Sequence, residues 1–553
     1  MRYTIALTTL LVVTQHVRPQ TCSWAFGIGS TNNTTRMEQV RSYDVEQVVV
    51  CGAFAAPTLV LGTHTLTNGG QEDGFVAIAD ADGSYLWATH FGGSNNEVVT
   101  DVAANSAGEI VVVGNFRSLF LPVGPTTLSN TGESDVFVAK FNADHSLAWA
   151  HAIGGSEIDE ATAVRVDATG AILVSGQRIN KFTLQTIHLF VRKYAPEGDL
   201  LWERTGDLQN GAANASALAI DAQQNVYLSG WMYGTMTFAN TTLIDDQGYS
   251  AFVVKHDAEG NLVDTFISND HGEFTGMAIQ DDNVYLCGRE VNFGIGWGWP
   301  LGDSKVYMLK LDEELNTIWS HDFGGGTPNF SLDRAESIDV DAQGNAYVTG
   351  SFFSDSLFFA DDTLINPYNA PYYYPQIFTA KYTADGQEAW ALAAGGIHTD
   401  EATSIAVMNE DQFYLVGNFE SDPSIFGTHL LSNDSQLDSI YVHLFPARYG
   451  RRAMGFLARF EGDQTTGTDE RSTTGYTLWP NPVRDLLTVR LDRFDGSPLE
   501  MEVTTLDGRC VLRNTSMASL SELQMDVSGL APSPYLLTIR SATSTQTQRF
   551  IKQ

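Results

Sequence analysis

Four carboxylates recur at one phase of the chain. Glu97, Asp159, Asp333 and Asp400 each stand eight residues before the Asp, or its equivalent, that closes a short apolar segment. Acids gathered at a channel mouth can bind a cation or supply the paired carboxyls of glycoside hydrolysis. Acids at loop starts also cap backbone N–H groups and hold neighbouring segments together. Three further segments carry Arg36, Ala213 and Gly272 at that phase, so the set is broken and no metal is expected. A second group is aromatic. Trp297 and Trp299 lie in FGIGWGWP; Tyr368, Tyr372, Tyr373 and Tyr374 lie in NPYNAPYYYP; Tyr441 and Tyr449 lie in the 39 residues between Gly417 and Phe456. Rings held by Gly and Pro lose little entropy on binding and can stack on sugars or anchor a protein partner. They can equally tuck against the sides of the fold. No G-x-S-x-G, H-E-x-x-H or P-loop occurs, the twelve histidines have no metal-like spacing, and no cofactor is expected.

The elements that position these residues repeat. A segment like F-V-A-K-Y is anchored at Phe75, Phe137, Phe190, Phe252, Tyr307, Phe378 and Phe456. Twelve residues after the first six anchors stand Trp87, Trp149, Trp202, Asp264, Trp319 and Trp390. A second hairpin closes on Gly52, Gly114, Gly176, Gly230, Gly288, Gly350 and Gly417. Each repeat therefore holds four short strands, with its Trp assigned to packing against the next repeat. The seventh repeat lacks its Trp strand, whereas Trp24 precedes Gly52 by 28 residues, the repeat's own spacing. Residues 22–29 are expected to pair beside Phe456, so that a closed ring leaves no large sheet edge bare. The expected fold is all-β: a seven-bladed β-propeller over 22–462, closed by its N-terminal strand.

Stretches such as DVFVAKFNADHSLAWAHAIGG and AESIDVDAQGNAYVTG resemble the SBBP-type β-propeller repeats of secreted bacterial proteins. That resemblance implies the fold; propellers host binding, scaffolding and catalysis alike.

Acidic residues outnumber basic ones 66 to 31, for a net charge of −35. Such a field repels phosphate backbones, which excludes nucleic acid as a partner. Arg2 and the apolar run Ile5 to Val13 suit a signal peptide over 1–20, and no later stretch is long and apolar enough for a transmembrane segment. Four cysteines with no C-x-x-C predict neither a disulfide framework nor zinc.

A polar linker, 463–475, precedes a segment of different composition. Residues 463–553 hold nine basic and eleven acidic residues, leaving −33 on the rest. Short strands here predict a small β-sandwich over 476–553. Pro480, Asn481 and Pro482 at its entry, Gly508, Gly529, Tyr535 and the terminal FIKQ with Lys552 resemble the C-terminal sorting domain of the bacterial type IX secretion system. The resemblance implies passage through the periplasm, reading by the type IX translocon and delivery outside the cell or to the outer-membrane surface. The expected function is a binding module for a glycan or protein ligand. The alternative is a polysaccharide hydrolase or lyase using the channel-mouth acids.

Overall fold

In the computed structural model the chain divides into two compact units, Met1–Gln464 and Thr465–Gln553. The structure describes residues 20–29, 33–183, 185–291, 304–325, 332–360, 362–366, 374–433, 438–440, 448–450 and 452–462. In the second unit it describes 476–479, 483–484, 486–491, 499–505, 509–516, 522–531, 533–540 and 545–552. The fold is all-β.

Repeats one and two are antiparallel four-stranded sheets. Repeat one runs Thr35–Ser42, Val48–Phe54, Asp73–Ala79, Tyr85–Phe91; repeat two runs Glu97–Ala104, Ile110–Phe116, Asp135–Phe141, Leu147–Ile153. Repeat six has the same order from Arg334–Val340 to Glu388–Ala394. Repeat seven orders Asp400–Asn409, Gln412–Phe419, Met454–Gly462 and then Gln20–Ile28, with Gly27 opposite Phe456 and Trp24 opposite Arg459.

Repeats three to five depart from the expected short strands. They merge into one ten-stranded sheet, because Leu200–Ile220 and Leu262–Gln280 each serve first as the outer strand of one repeat and then as the inner strand of the next. In repeats one and two the outer strand ends at Gly92 and Gly154, where an added Cβ would come within 2.0 and 2.2 Å of the Asp73 and Asp135 carboxyl groups. His188 stands at that register in repeat three, Ser250 in repeat four, Lys305 in repeat five and Gln376 in repeat six.

The closing glycines have a common physical cause. All seven inner strands carry a bulge opposite this glycine: Met37 and Gln39 flank it in repeat one, Ala402 and Ser404 in repeat seven. The bulge pushes an inner-strand carbonyl against the neighbouring strand. A Cβ at any of the seven glycines would lie 1.9–2.3 Å from that oxygen, a distance no other residue tolerates.

The Trp residues and the lysines of the F-V-x-K segments join consecutive repeats. Trp149 Nε1 and Lys140 Nζ both donate to the Pro196 carbonyl, in the outer hairpin turn of the next repeat, at 3.0 and 3.2 Å. Trp202 and Lys193 share Ala258 O in the same way, and Trp319 and Lys310 share Ala384 O. The five lysines Lys140, Lys193, Lys255, Lys310 and Lys381 are buried. A buried ammonium persists only when paired, and these carbonyls, with Glu109, Asp167 and Asp341 beside three of them, provide the pairing.

The second unit has two sheets, one joining Tyr476–Trp479, Leu486–Leu491 and Glu522–Asp526, the other Cys510–Ser516, Leu499–Thr505, Ser533–Arg540 and Thr545–Lys552. Leu487, Val489, Met501, Val503, Met525, Leu537 and Ile539 form one core between them, a small β-sandwich.

Candidate functional site

Glu97, Asp159, Asp333 and Asp400 are fully buried, and their oxygens are committed to loop backbone. Glu97 accepts from the N–H groups of Gly93 (2.7 Å) and Ser118 (3.1 Å). Asp159 accepts from Gly155 N–H and from Arg178 Nε at 2.8 Å. Asp333 accepts from the backbone of Gly325, Phe353 and Ser354 and from the Ser354 hydroxyl. Asp400 accepts from Gly396 N–H at 2.7 Å and from the Ser421 hydroxyl and N–H. Glu97, Asp333 and Asp400 thus tie the exit of the preceding repeat to the loop that follows their own second strand, and Asp159 ties it to Arg178 within the second strand. Burial lifts the Asp400 carboxyl to about 7 against those hydrogen bonds. The register places Thr35, not Arg36, at the equivalent position of repeat one.

The four acids build the loop rim, and none lines the central cavity. Short hairpins rise from this rim in repeats one, two, six and seven: Thr58–Leu61 with His64–Thr67, Phe120–Val123 with Thr126–Ser129, Ser356–Phe358 with Thr363–Ile365, and Ser424–Phe426 with His429–Leu431. Of the aromatic candidates, Tyr374 is buried, edge-on to His398 at 5.1 Å, with its carbonyl accepting from Asn366 Nδ2. Its ring belongs to the scaffold. Tyr449 lies opposite Ser439 in a short hairpin. Trp297, Trp299, Tyr368, Tyr372, Tyr373 and Tyr441 lie outside the described residues, as do residues 1–19 and 463–475.

A cavity of about 320 Å³ is lined by residues of seven inner strands, one from each repeat. At the fourth position after the bulge-facing residue, four strands place Ala103, Ala219, Ala278 and Ala406, while the other three place Arg41, Arg165 and Asp339. Asp101 joins the two arginines. Its carboxylate forms an ion pair with Arg41 Nη2 at 3.2 Å and accepts from Arg165 Nη1 at 2.7 Å, Val102 N–H at 2.9 Å and Val164 N–H at 3.0 Å. Burial and the nearby Arg41 charge lower the Arg165 guanidinium. Burial raises Asp339, whose oxygens accept from Val340 and Val407 N–H. Glu336, on the same wall, is lifted to about 7 by burial, with Glu401 and Glu273 adding to the rise and Arg334 opposing it. These charges escaped the sequence reading. Arg41, Arg165 and Asp339 have one signal, a charged side chain at a position that the other four repeats fill with alanine.

In the C-terminal sandwich, Tyr535 is buried and its hydroxyl donates to Ala531 O at 3.0 Å. Gly529 sits in an exposed turn, and Lys552 bridges to Val483, pinning the last strand to the entry segment. Pro480, Asn481, Pro482 and Gly508 lie outside the described residues. Residues 477–553 match the family described as secretion system C-terminal sorting domain. This segment is a type IX sorting domain. Such a domain marks a protein for secretion or surface display. Among the described residues no helix is long and apolar enough to cross a membrane.

The chain is also similar to an uncharacterized WD repeat-containing protein of Acanthamoeba polyphaga mimivirus, 24% identical over 67% of this chain and 34% of the relative. A regulatory protein, FlaEY, of Caulobacter vibrioides is 32% identical over 24% of this chain and 13% of its own length. The chain thus spans about a third or less of these curated relatives. Among solved structures, the Pan2 WD40 domain of Neurospora crassa aligns with 65% of this chain and 86% of its own, at 10% identity and a TM-score of 0.33.

Proposed function

We propose that residues 22–462 form a seven-bladed β-propeller, closed by the N-terminal strand, that acts outside the cell or at its surface as a binding module for a glycan or protein ligand. Residues 1–20 serve as its signal peptide, and the type IX translocon reads residues 476–553. One observation supports binding over catalysis: the four loop-face acids are engaged by backbone N–H groups, serine hydroxyls and Arg178, and are buried from any substrate. They hold a rim rather than react. The ligand contacts then fall to the loops carrying Trp297, Trp299, Tyr372, Tyr373 and Tyr441. A hydrolase or lyase reading keeps one support, the Glu336 carboxyl near 7, the range of a general acid.

Screening the secreted chain on glycan and peptide arrays, with product release assayed for every hit, tests this reading. Binding without turnover, weakened by Trp297→Ala and Tyr372→Ala, is the expected result. Product release that disappears in a folded Glu336→Gln variant would sink it. For export, the chain lacking 476–553 should stay in the periplasm of a type IX-competent host, and surface delivery of that truncation would remove the translocon from the account.

A further inference from the structure

Two buried carboxyl groups each have one oxygen without a hydrogen-bond donor among the described residues. Asp73 Oδ2 accepts Gly69 N–H at 2.9 Å, and Asp135 Oδ2 accepts the N–H and hydroxyl of Thr131 at 2.9 and 3.2 Å. Oδ1 of each is buried and unpartnered, and an orphan of this kind calls for a reason. Repeat six supplies the comparison. Asp73, Asp135 and Gln376 stand at one register, opposite Phe54, Phe116 and Phe352. Their end groups lie over the first glycine after the outer strand: an added Cβ at Gly92, Gly154 or Gly395 would come within 2.0–2.4 Å of them. Gln376 Nε2 donates to the carbonyls of Gly396 at 2.9 Å and His398 at 3.3 Å. The same turn recurs in repeats one and two. Gly93 and Gly155 donate to Glu97 and Asp159 as Gly396 does to Asp400, and Asn95 N–H donates to Ser118 Oγ as His398 N–H does to Ser421 Oγ. An ionised carboxylate offers such carbonyls no donor, whereas a protonated one offers its O–H.

We propose that Asp73 and Asp135 are a pair of pH-sensitive clamps at the junctions of repeats one with two and two with three. Protonated, each holds its turn through an O–H that takes the place of the Gln376 amide; ionised, each lets the turn go. The charged groups facing Asp73 are His90, whose Nε2 lies 3.8 Å from Oδ2, and Glu97. Those facing Asp135 are Asp159 and Arg178, which already pair with each other at 2.8 Å. Burial raises both carboxyls against their hydrogen bonds, Glu97 and Asp159 add to the rise, and His90 and Arg178 oppose it. A raised acid favours the native state below its unfolded value, and that contribution is lost as pH rises through the folded one.

Thermal melts of the full chain between about pH 4 and pH 8 test it. Asp73→Asn combined with Asp135→Asn supplies a permanent amide donor at both turns. Its melting temperature should stay close to the parent's at the acid end and exceed it by about 1–2 °C at the alkaline end. Gln376→Glu runs the test in reverse: it should melt like the parent in acid and fall progressively below it as pH rises. A double variant that fails to fold, or melts below the parent at the alkaline end, would show that the ionised carboxylates are needed. A Gln376→Glu variant that tracks the parent at every pH would show that the turn tolerates a carboxylate. Either result overturns the proposal. Calcium that raises the parent's melting temperature but not the double variant's would put a metal ion in the proton's place and overturn it as well.

Discussion

Four junctions between repeats share one latch; among the described residues the junctions of repeats one and two, of four and five, and of six and seven do not show it. From repeat two to three, three to four, five to six and seven to one, an indole N–H and a cationic side chain converge on one turn carbonyl. In the last of these, Trp24 Nε1 and Arg459 Nη1 meet Ala81 O at 2.9 and 2.8 Å. At the junction of six and seven, Trp390 is buried and stacks on Phe413, but its Nε1 has no partner among the described residues. Lys381 donates instead to Glu410 O, in the turn between the first two strands of repeat seven. At this junction chain connectivity removes the acceptor. The third and fourth strands of repeat seven, Met454–Gly462 and Gln20–Ile28, come from opposite ends of the unit, so no outer hairpin turn exists to offer a carbonyl. Completing the fold with the N-terminal strand removes the acceptor on one side of repeat seven and keeps the latch on the other.

The largest expected effect follows from removing residues 20–28. Met454–Gly462 becomes an open edge and Ala81 loses its indole donor. Cooperative unfolding should be replaced by aggregation in a thermal melt, and a parental melt would break the comparison. Next come paired Trp→Phe substitutions. Trp149→Phe removes a made hydrogen bond and should cost about 1 kcal/mol more in urea unfolding than Trp390→Phe, whose N–H is unpaired. Equal losses would mean that the indole N–H does not distinguish the two junctions.

A smaller effect concerns pH at the junction of repeats six and seven. Asp400, which accepts Gly396 N–H from repeat six, has a folded value of about 7, above its unfolded value of about 3.9. A raised acid favours the native state fully below the unfolded value, and that contribution is lost as pH rises through the folded one. The melting temperature should therefore fall between about pH 4 and pH 7 and level off above it, and Asp400→Asn should flatten this slope. An unchanged slope in the variant would remove Asp400 as its source.

The repeated Trp, Gly and F-V-x-K positions made the strand pattern readable, since each recurs at a fixed phase. The role of the lysines was not, because a lysine in a strand reads as a solvated face until the neighbouring turn is in place. Glu97, Asp159, Asp333 and Asp400 were placed at the channel mouth because the bulge adds a residue to every inner strand. Alternation on its two sides then runs out of phase, and the acids fall on the buried wall. Arg41, Arg165 and Asp339 carry no motif and show only as departures from alanine. The fusion of repeats three to five follows from two long strands, Leu200–Ile220 and Leu262–Gln280, whose length no local pattern announces.

Hydrogen exchange of the Cys22–Ile28 amides tests the closing strand most directly. If the N-terminal strand is an integral fourth strand of repeat seven, these amides exchange as slowly as those of Tyr85–Phe91 in repeat one, through opening of the whole N-terminal unit. Exchange orders of magnitude faster than in Tyr85–Phe91, in an otherwise protected unit, would contradict closure by the N-terminal strand.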